Sequence, residues 1–340
     1  MNIVKQEFLP TLTRSVHAAT VEIWNDHPVF AWFGGSREGG EDVAIYLHNL
    51  NGKDETMSIG NRDGYPRWNP ILFSHNDSLY MFEKIGIFCD RWQTFVHDVT
   101  DWTTDTPEKE IRATAQTIPA GLNGPVKTRP VVVKEGDECE DGEVVVCGSS
   151  VETFFDWTSY FEYYKVSNGE WKFLRRSKPL EVKQKVSYRN PFNGRTQNSL
   201  GIIQPAMWVV QNKVHSFFRS SGGLDSIYFY EENSYLTDPV ETNLKNPNSG
   251  VDVAQIGNRL FLVHNPDDKY RFPLVVSEIE RWSDDTFTVV DEITIREKVN
   301  SEETCNSQEL SYPYMIAHNN QLHLAYTYGR SKIEYVVIDV

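Results

Sequence analysis

The chain has 340 residues, 39% of them hydrophobic and 13% aromatic, which is enough apolar surface for a core and too much for a disordered chain. Its formal net charge of −15 argues against nucleic-acid binding, which needs a basic surface to displace counterions. Any cluster of arginines in so acidic a protein is therefore informative.

The first fifteen residues, MNIVKQEFLPTLTRS, lack the basic and apolar regions of a signal peptide. No later run approaches a membrane span. The expected location is the cytoplasm, or a compartment reached without a cleaved signal. Within this stretch Ile3–Leu9 reads as a strand with no partner nearby in sequence.

From Ala19 a phrase begins that returns along the whole chain: an apolar strand, a tight polar turn, a second apolar strand. Its six copies are ATVEIWNDHPVFAWF, PILFSHNDSLYMF from Pro70, PVVVKEGDECEDGEVVVC from Pro130, PAMWVVQNKVHSFF from Pro205, VDVAQIGNRLFLV from Val251 and PYMIAHNNQLHLAY from Pro313. The turns are polar pairs such as Asn25-Asp26, Gln211-Asn212, Gly257-Asn258 and Asn319-Asn320, which suit hairpins. Outer strands follow at Asp42–Leu47, Tyr160–Val166, Ser226–Tyr230 and Pro273–Ile279. Repeats of roughly 45 to 75 residues that each form one small sheet indicate a β-propeller. The expected fold is thus all-β, a single six-bladed propeller over residues 1–340, with seven blades as the alternative. The last copy leaves room for three strands ending in Ile333–Ile338, and Ile3–Leu9 is expected to supply the fourth and close the ring. The polar stretches Thr100–Val126 and Pro179–Leu200 read as loops between blades.

The cysteines are Cys89, Cys139, Cys147 and Cys305, with no CxxC spacing and no metal-ligand pattern. Cys139 and Cys147 could face each other across the third hairpin; without an export signal they are expected to be reduced. No cofactor motif is legible, since GGSREGG from Gly34 matches neither a phosphate loop nor a dinucleotide fingerprint. No metal is expected at the site, although a structural calcium ion held by loop carbonyls would leave no trace in sequence.

A polar residue leads into each first strand: His17, Asn69, Arg129, Gln204, Ser249 and Tyr312. Four of them precede proline, which favours extended backbone at the residue before it. Equivalent positions in six blades share one circle, so these side chains should converge on the channel mouth. Arg37, Arg219 and Arg330 follow second strands, as do His264 and Asn265, and nearby loops carry Glu38, Asp42, Trp68, Asn248 and Arg271. Arginine grips carboxylates in a bidentate fork. This set therefore points to a pocket for an acidic sugar or another carboxylate ligand.

The chain resembles the sialidase superfamily in its BNR-repeat-like branch. The resemblance rests on HAATVE with AWFGGSREGGEDVAIYL, RWNPILF, GPVKTRPVVV, IIQPAMW with FFRSS, NPNSGVDV with LFLVHNP, and SYPYMI with YTYGR. KVSNGEWKF and ERWSDDTF are worn remnants of the superfamily's Asp-box turns, expected far from the pocket.

The resemblance implies an exo-glycosidase that removes a terminal acidic sugar from an oligosaccharide or glycan. Tyr312 would be the nucleophile, Arg219 and Arg271 two of the arginines on the sugar carboxylate, and Glu38 or Asp42 the acid/base. A neutral tyrosine suits a substrate whose own carboxylate repels an anionic nucleophile. The chain departs from the pattern twice. His17 stands near the missing first arginine, for which Arg37, Arg129 or Arg330 would substitute, and Gln204 stands where a glutamate is expected. Glu162 or Glu309 would have to supply that carboxylate. Related propellers include uronate lyases at rhamnose–glucuronate linkages, in which case His17 would be the base and Arg129 or Arg219 the neutralising cation. A non-catalytic glycan-binding propeller is the third reading.

Overall fold

The computed structural model describes every residue except 51, 61–63, 136–141, 191–192, 284 and 301–304. Cys139 falls outside the described residues, so its relation to Cys147 is not seen.

Six four-stranded antiparallel sheets follow one another around an axis. Blade 1 comprises Ser15–Trp24, His27–Gly35, Ala44–His48 and Thr56–Ile59. Blade 2 comprises Arg67–His75, Ser78–Ile85, Gln93–Asp98 and Gln116–Thr117. Val131–Glu135, Gly142–Glu152, Trp157–Ser167 and Glu170–Arg176 make blade 3. Ile202–Val210, Lys213–Ser220, Ser226–Glu231 and Val240–Lys245 make blade 4. Blade 5 has Asp252–Ile256, Arg259–His264, Leu274–Arg281 and Phe287–Arg296. Blade 6 has Leu310–His318, Gln321–Tyr328 and Lys332–Asp339. Its outermost strand is Asn2–Phe8, antiparallel to Lys332–Asp339 with Ile3 opposite Ile338. The ring thus closes by joining the two ends of the chain in one sheet.

The inner strands hold long buried runs, as in Val16–Glu22 and Pro205–Trp208, because the neighbouring blades cover both faces, although the first strand of blade 3 buries only Val133. Outer strands face solvent on one side and alternate, as in Val240–Lys245. Blades lock together through aromatic rings. Trp171 on the outer strand of blade 3 meets Phe73, Tyr80 and Phe82 of blade 2 edge-on, at centroid distances of 6.2, 5.2 and 4.9 Å, a favoured geometry. In the inner hairpins of blades 1, 2, 4 and 6 both turn residues take positive φ, for example 48° and 61° for Asn25 and Asp26 and 48° and 62° for Asn319 and Asn320. Such turns twist with the strands they join.

The stretches read as plain loops hold more order than expected. Thr100–Val126 contains the helix Glu108–Ala113 and the outermost strand of blade 2. Pro179–Leu200 contains a small hairpin, Ser187–Arg189 with Thr196–Asn198, outside the blades. The Asp-box remnant around Asn168 is the turn between the outer strands of blade 3, where Ser167 pairs with Glu170.

A β-bulge interrupts the innermost strand in four blades, between His17 and Thr20, Trp68 and Ile71, Ile203 and Ala206, and Ser311 and Tyr314. Each bulge puts one residue into positive φ: Ala18 at 53°, Asn69 at 31°, Gln204 at 58° and Tyr312 at 52°. The proline after Asn69, Gln204 and Tyr312 therefore does not keep them extended. Each bulge inserts an extra residue and turns its side chain away from the strand's own faces. In blade 1 that position belongs to Ala18, not to His17.

Candidate functional site

Two bulge residues and one arginine form the centre. Arg219, opposite Ile203 across the inner pair of blade 4, donates from Nη1 to Tyr312 Oη at 3.0 Å and to Gln204 Oε1 at 3.1 Å. Its Nε donates to Asn248 Oδ1 at 2.9 Å. Gln204 Nε2 also donates to Tyr312 Oη, at 3.0 Å. Among the described residues the hydrogen-bond acceptors of Arg219 are all neutral, although its side chain is only 6% exposed. A buried guanidinium gains from a bonded anion; Glu152 feels the charge of Arg219 but, among the described residues, no carboxylate is hydrogen-bonded to it.

Two further arginines stand beside it. Arg271, in the loop before the third strand of blade 5, donates to Asn248 O at 2.8 Å and to Glu309 Oε2 at 3.2 Å. Arg330, just past the second strand of blade 6, binds both Glu309 and Glu38. Glu309 is further held by Ser311 Oγ at 2.7 Å. Burial alone would raise the Glu309 carboxyl, but Arg271 and Arg330 outweigh it and hold the group below the usual carboxylate range. Burial and the neighbouring Arg219 push Arg271 down from the usual guanidinium value. A cavity of about 400 Å³, lined by Asn248, Tyr270, Arg271, Phe272, Glu309 and Arg330 among others, opens beside these arginines.

Sequence reasoning missed one member. Glu152 ends the second strand of blade 3, the position that Arg37, Arg219 and Arg330 occupy or follow in other blades, so the repeat itself carried the signal. Its Oε1 lies 3.4 Å from Gln204 Nε2. Burial raises its carboxyl above the ordinary value, opposed by Arg219 and the Gln204 bond and reinforced by Glu38. Glu162 does not reach the site. It is fully buried in blade 3, accepting from Asn123 N, Gly124 N, Ser149 Oγ and Tyr164 Oη.

His17 lies beneath Tyr312, with ring centroids 4.1 Å apart. It is 1% exposed, and among the described residues neither ring nitrogen has a hydrogen-bond partner. Burial, then Arg330, Arg271, Arg219 and Lys127, hold its pKa well below the usual histidine value.

The other residues named from sequence lie at varying distances from this centre. Glu38 reaches it through Arg330. Asp42 instead ties its own loop, accepting from Ser36 N at 2.7 Å and Ser36 Oγ at 2.9 Å. Arg37 is exposed on that loop. Trp68 donates to Gly86 O at 2.7 Å and packs under the same loop, where a Cβ on Gly39 would come within 3.3 Å of its ring. Asn69 binds Val126 O at 3.1 Å. Arg129 is not brought to the mouth. It points along the inner strands, 3.2 Å from Glu22 Oε2, and lines a separate cavity with Ser74, Trp208, Asp252 and Ala317. The reason is that blade 3 begins late, at Val131, and the preceding residues 125–128 occupy the channel instead. Ser249 is buried, its backbone tied to Asn246. Asn265 holds Pro273 O and Leu310 O. His264 contacts Ser277 Oγ at 3.3 Å, away from the arginines. Among the described residues no three His, Cys, Asp or Glu side chains are grouped to hold a metal ion, and no helix is long and apolar enough to cross a membrane.

A domain model described as a BNR repeat-like domain matches residues 27–324. The chain belongs to the BNR repeat-like family. Within this BNR repeat-like, sialidase-type propeller, solved structures add likeness of fold. A Dyadobacter fermentans protein of unknown function shares 12% identity over 99% of this chain and 98% of its own, with a TM-score of 0.66. Trypanosoma rangeli sialidase bound to the inhibitor DANA shares 13% identity with a TM-score of 0.61, covering 96% of this chain. The chain spans only 55% of that sialidase's length. The fucose-specific lectin of Aleuria aurantia shares 8% identity, with a TM-score of 0.51 and coverage of 99% and 97%. No curated protein sequence matches the chain.

Proposed function

We propose that this propeller is an exo-acting glycoside hydrolase that removes a terminal carboxylate-bearing sugar from a glycan. The observation that carries the reading is Arg219, buried, hydrogen-bonded to neutral oxygens, and touching Tyr312 Oη. A ligand carboxylate supplies an anion hydrogen-bonded directly to Arg219, with Arg271 and Arg330 beside it. Tyr312 Oη then attacks the anomeric carbon. The new C–O bond forms as the glycosidic bond breaks, and Glu38 protonates the departing oxygen. Glu152, whose carboxyl burial raises above the ordinary value, takes the phenol proton by way of a water molecule, because the Gln204 amide donates to both Tyr312 Oη and Glu152 Oε1 and carries no proton between them. Water then attacks the anomeric carbon and gives a proton to Glu38 as the sugar–tyrosine bond breaks, and the phenolate takes its proton back from Glu152. Sialidases are known exceptions to the two-carboxylate scheme in using a tyrosine, and the fold likeness supports the reading without deciding it.

One observation favours a second reading, a non-catalytic glycan-binding propeller. The side chain that joins Arg219 on Tyr312 Oη is an amide, and Gln204 cannot accept a proton as a carboxylate does. Elimination with His17 as base finds no comparable support, because its imidazole is sealed under Tyr312 and is a weak base there. Acidic disaccharides ending in sialic or glucuronic acid, assayed both for new reducing ends and for ultraviolet-absorbing unsaturated products, test the three readings together. Reducing ends alone are expected. Unsaturated products would replace hydrolysis by elimination, and binding without either product would leave the lectin reading.

A further inference from the structure

Residues 125–128, shortly before blade 3, run through the middle of the ring. Asn69 Nδ2 of blade 2 donates to Val126 O at 3.1 Å, and Val126 N donates to Gly148 O of blade 3 at 3.0 Å. The fully buried Lys84 of blade 2 donates to Pro125 O. Lys127 Nζ reaches two other blades, donating to Val251 O at 2.9 Å and to Pro313 O. Thr128 Oγ1 donates to Pro205 O. Gly250 leaves the passage open, for a Cβ there would stand 3.0 Å from Lys127 Cε.

Two of these acceptors have a special place. Pro205 and Pro313 directly follow Gln204 and Tyr312, the bulge residues with φ of 58° and 52°. Non-glycine residues in this region cost of order 1–3 kcal/mol and persist only when their surroundings fix them. The grip on the next carbonyl comes from the channel, opposite to the mouth where the side chains meet.

We propose that Lys127 and Thr128 are positioning residues: by holding the carbonyls of Pro313 and Pro205 from inside the channel, they keep the strained bulges that aim Tyr312 and Gln204 at the substrate. For its catalytic consequence the inference rests on the hydrolase reading. Neither residue touches substrate. Their effect is on where Tyr312 Oη stands, and small misplacements of a nucleophile cost much rate.

Thr128→Val keeps the shape and removes the donor, Thr128→Ser restores the hydroxyl, and Lys127→Met removes the ammonium. The rate is read on an aryl glycoside of whichever acidic sugar the wild type cleaves, and affinity on the free sugar. Thr128→Val and Lys127→Met are expected to lower kcat by about tenfold to a hundredfold while affinity for the free sugar, set by the arginines, changes little. Thr128→Ser is expected to recover most of kcat. A second readout is independent of turnover. With fluorotyrosine at the 16 tyrosines, the fluorine resonance lost in Tyr312→Phe reports that ring; it should shift in Lys127→Met directly and in Thr128→Val through Gln204, but not in Thr128→Ser. An unchanged kcat and an unshifted resonance in Thr128→Val would overturn the proposal, as would equal losses of kcat, affinity and melting temperature in the Val and Ser variants. If the wild type cleaves no acidic glycoside, the hydrolase reading fails by itself, and the resonance alone then decides whether the channel segment sets Tyr312.

Discussion

The imidazole of His17 lies 4.1 Å from the ring of Tyr312, centroid to centroid, and also meets Phe33 at 5.6 Å. Its place is that of a packing surface between two aromatic rings, with burial and four nearby cations keeping it neutral. His17→Phe is accordingly expected to retain activity within about tenfold, since it loses no proton that the reaction uses. Steady-state kinetics on the purified variant checks this, and loss of all turnover would return His17 to a chemical role.

Acid should weaken the fold through its buried histidines. Burial lowers His264 from the usual value to about 4, while the unfolded chain takes up that proton near pH 6.5. The unfolded state therefore binds more protons between these values, so stability rises with pH across the window and is lost as pH falls from about 6.5 to 4. The contribution of His264 is on the order of 3 kcal/mol. Raised carboxyls such as Asp252, pushed by burial to about 6, act in the opposite sense, so the difference between wild type and His264→Gln isolates the histidine. Chemical unfolding at pH 7 and pH 4.5 should show the variant losing less stability on acidification than the wild type.

Arginine geometry, beyond charge, should set affinity. Arg271→Lys keeps a cation but loses the fork that spans Asn248 O and Glu309. Losing one charge-assisted hydrogen bond of about 1.5–3 kcal/mol corresponds to roughly tenfold to a hundredfold weaker binding of an acidic sugar. Calorimetric titration should show that loss. A carboxamide analogue bound as tightly as the acid would remove the basis for an anionic ligand.

Gln204 and Glu152 make a reciprocal pair of tests. Glu152→Gln should lower kcat by about a hundredfold if Glu152 takes the phenol proton, given the usual worth of a general base. Gln204→Glu sets a carboxylate directly against Tyr312 Oη and Arg219, and should raise kcat. An undiminished rate in Glu152→Gln would remove Glu152 as the base, and a Gln204→Glu variant that binds the sugar but, like the wild type, releases no product would favour the lectin reading.

The propeller was legible because each blade repeats one phrase and neighbouring blades bury it on both faces, which leaves continuous apolar runs in the sequence. The prolines at 70, 205 and 313 also marked the right circle, since the residues before them are bulge residues. The conformation inferred from those prolines was wrong, because the bulge overrides the local preference for extended backbone. His17 was placed one residue out of phase, since the bulge in blade 1 carries alanine without a following proline. Arg129 was misplaced for a different reason. Blade 3 enters its sheet late, and the Pro125–Thr128 segment that fills the axis has no counterpart in the repeat. Glu152 was within reach of the same logic that picked Arg219, since it stands at the corresponding place in blade 3, but the carboxylate was sought at Glu162 and Glu309.

The central claim is that Tyr312 forms a bond to the sugar in a pocket that arginines select for carboxylates. Tyr312→Phe keeps the ring on His17 and removes only the oxygen that Arg219 and Gln204 contact. The direct measurement is release of the aryl group from aryl glycosides of sialic and glucuronic acids by the wild type and by Tyr312→Phe. The account predicts release by the wild type from at least one of them, and none above background by the variant, which still binds the free acid. Release by Tyr312→Phe at the wild-type rate would contradict it.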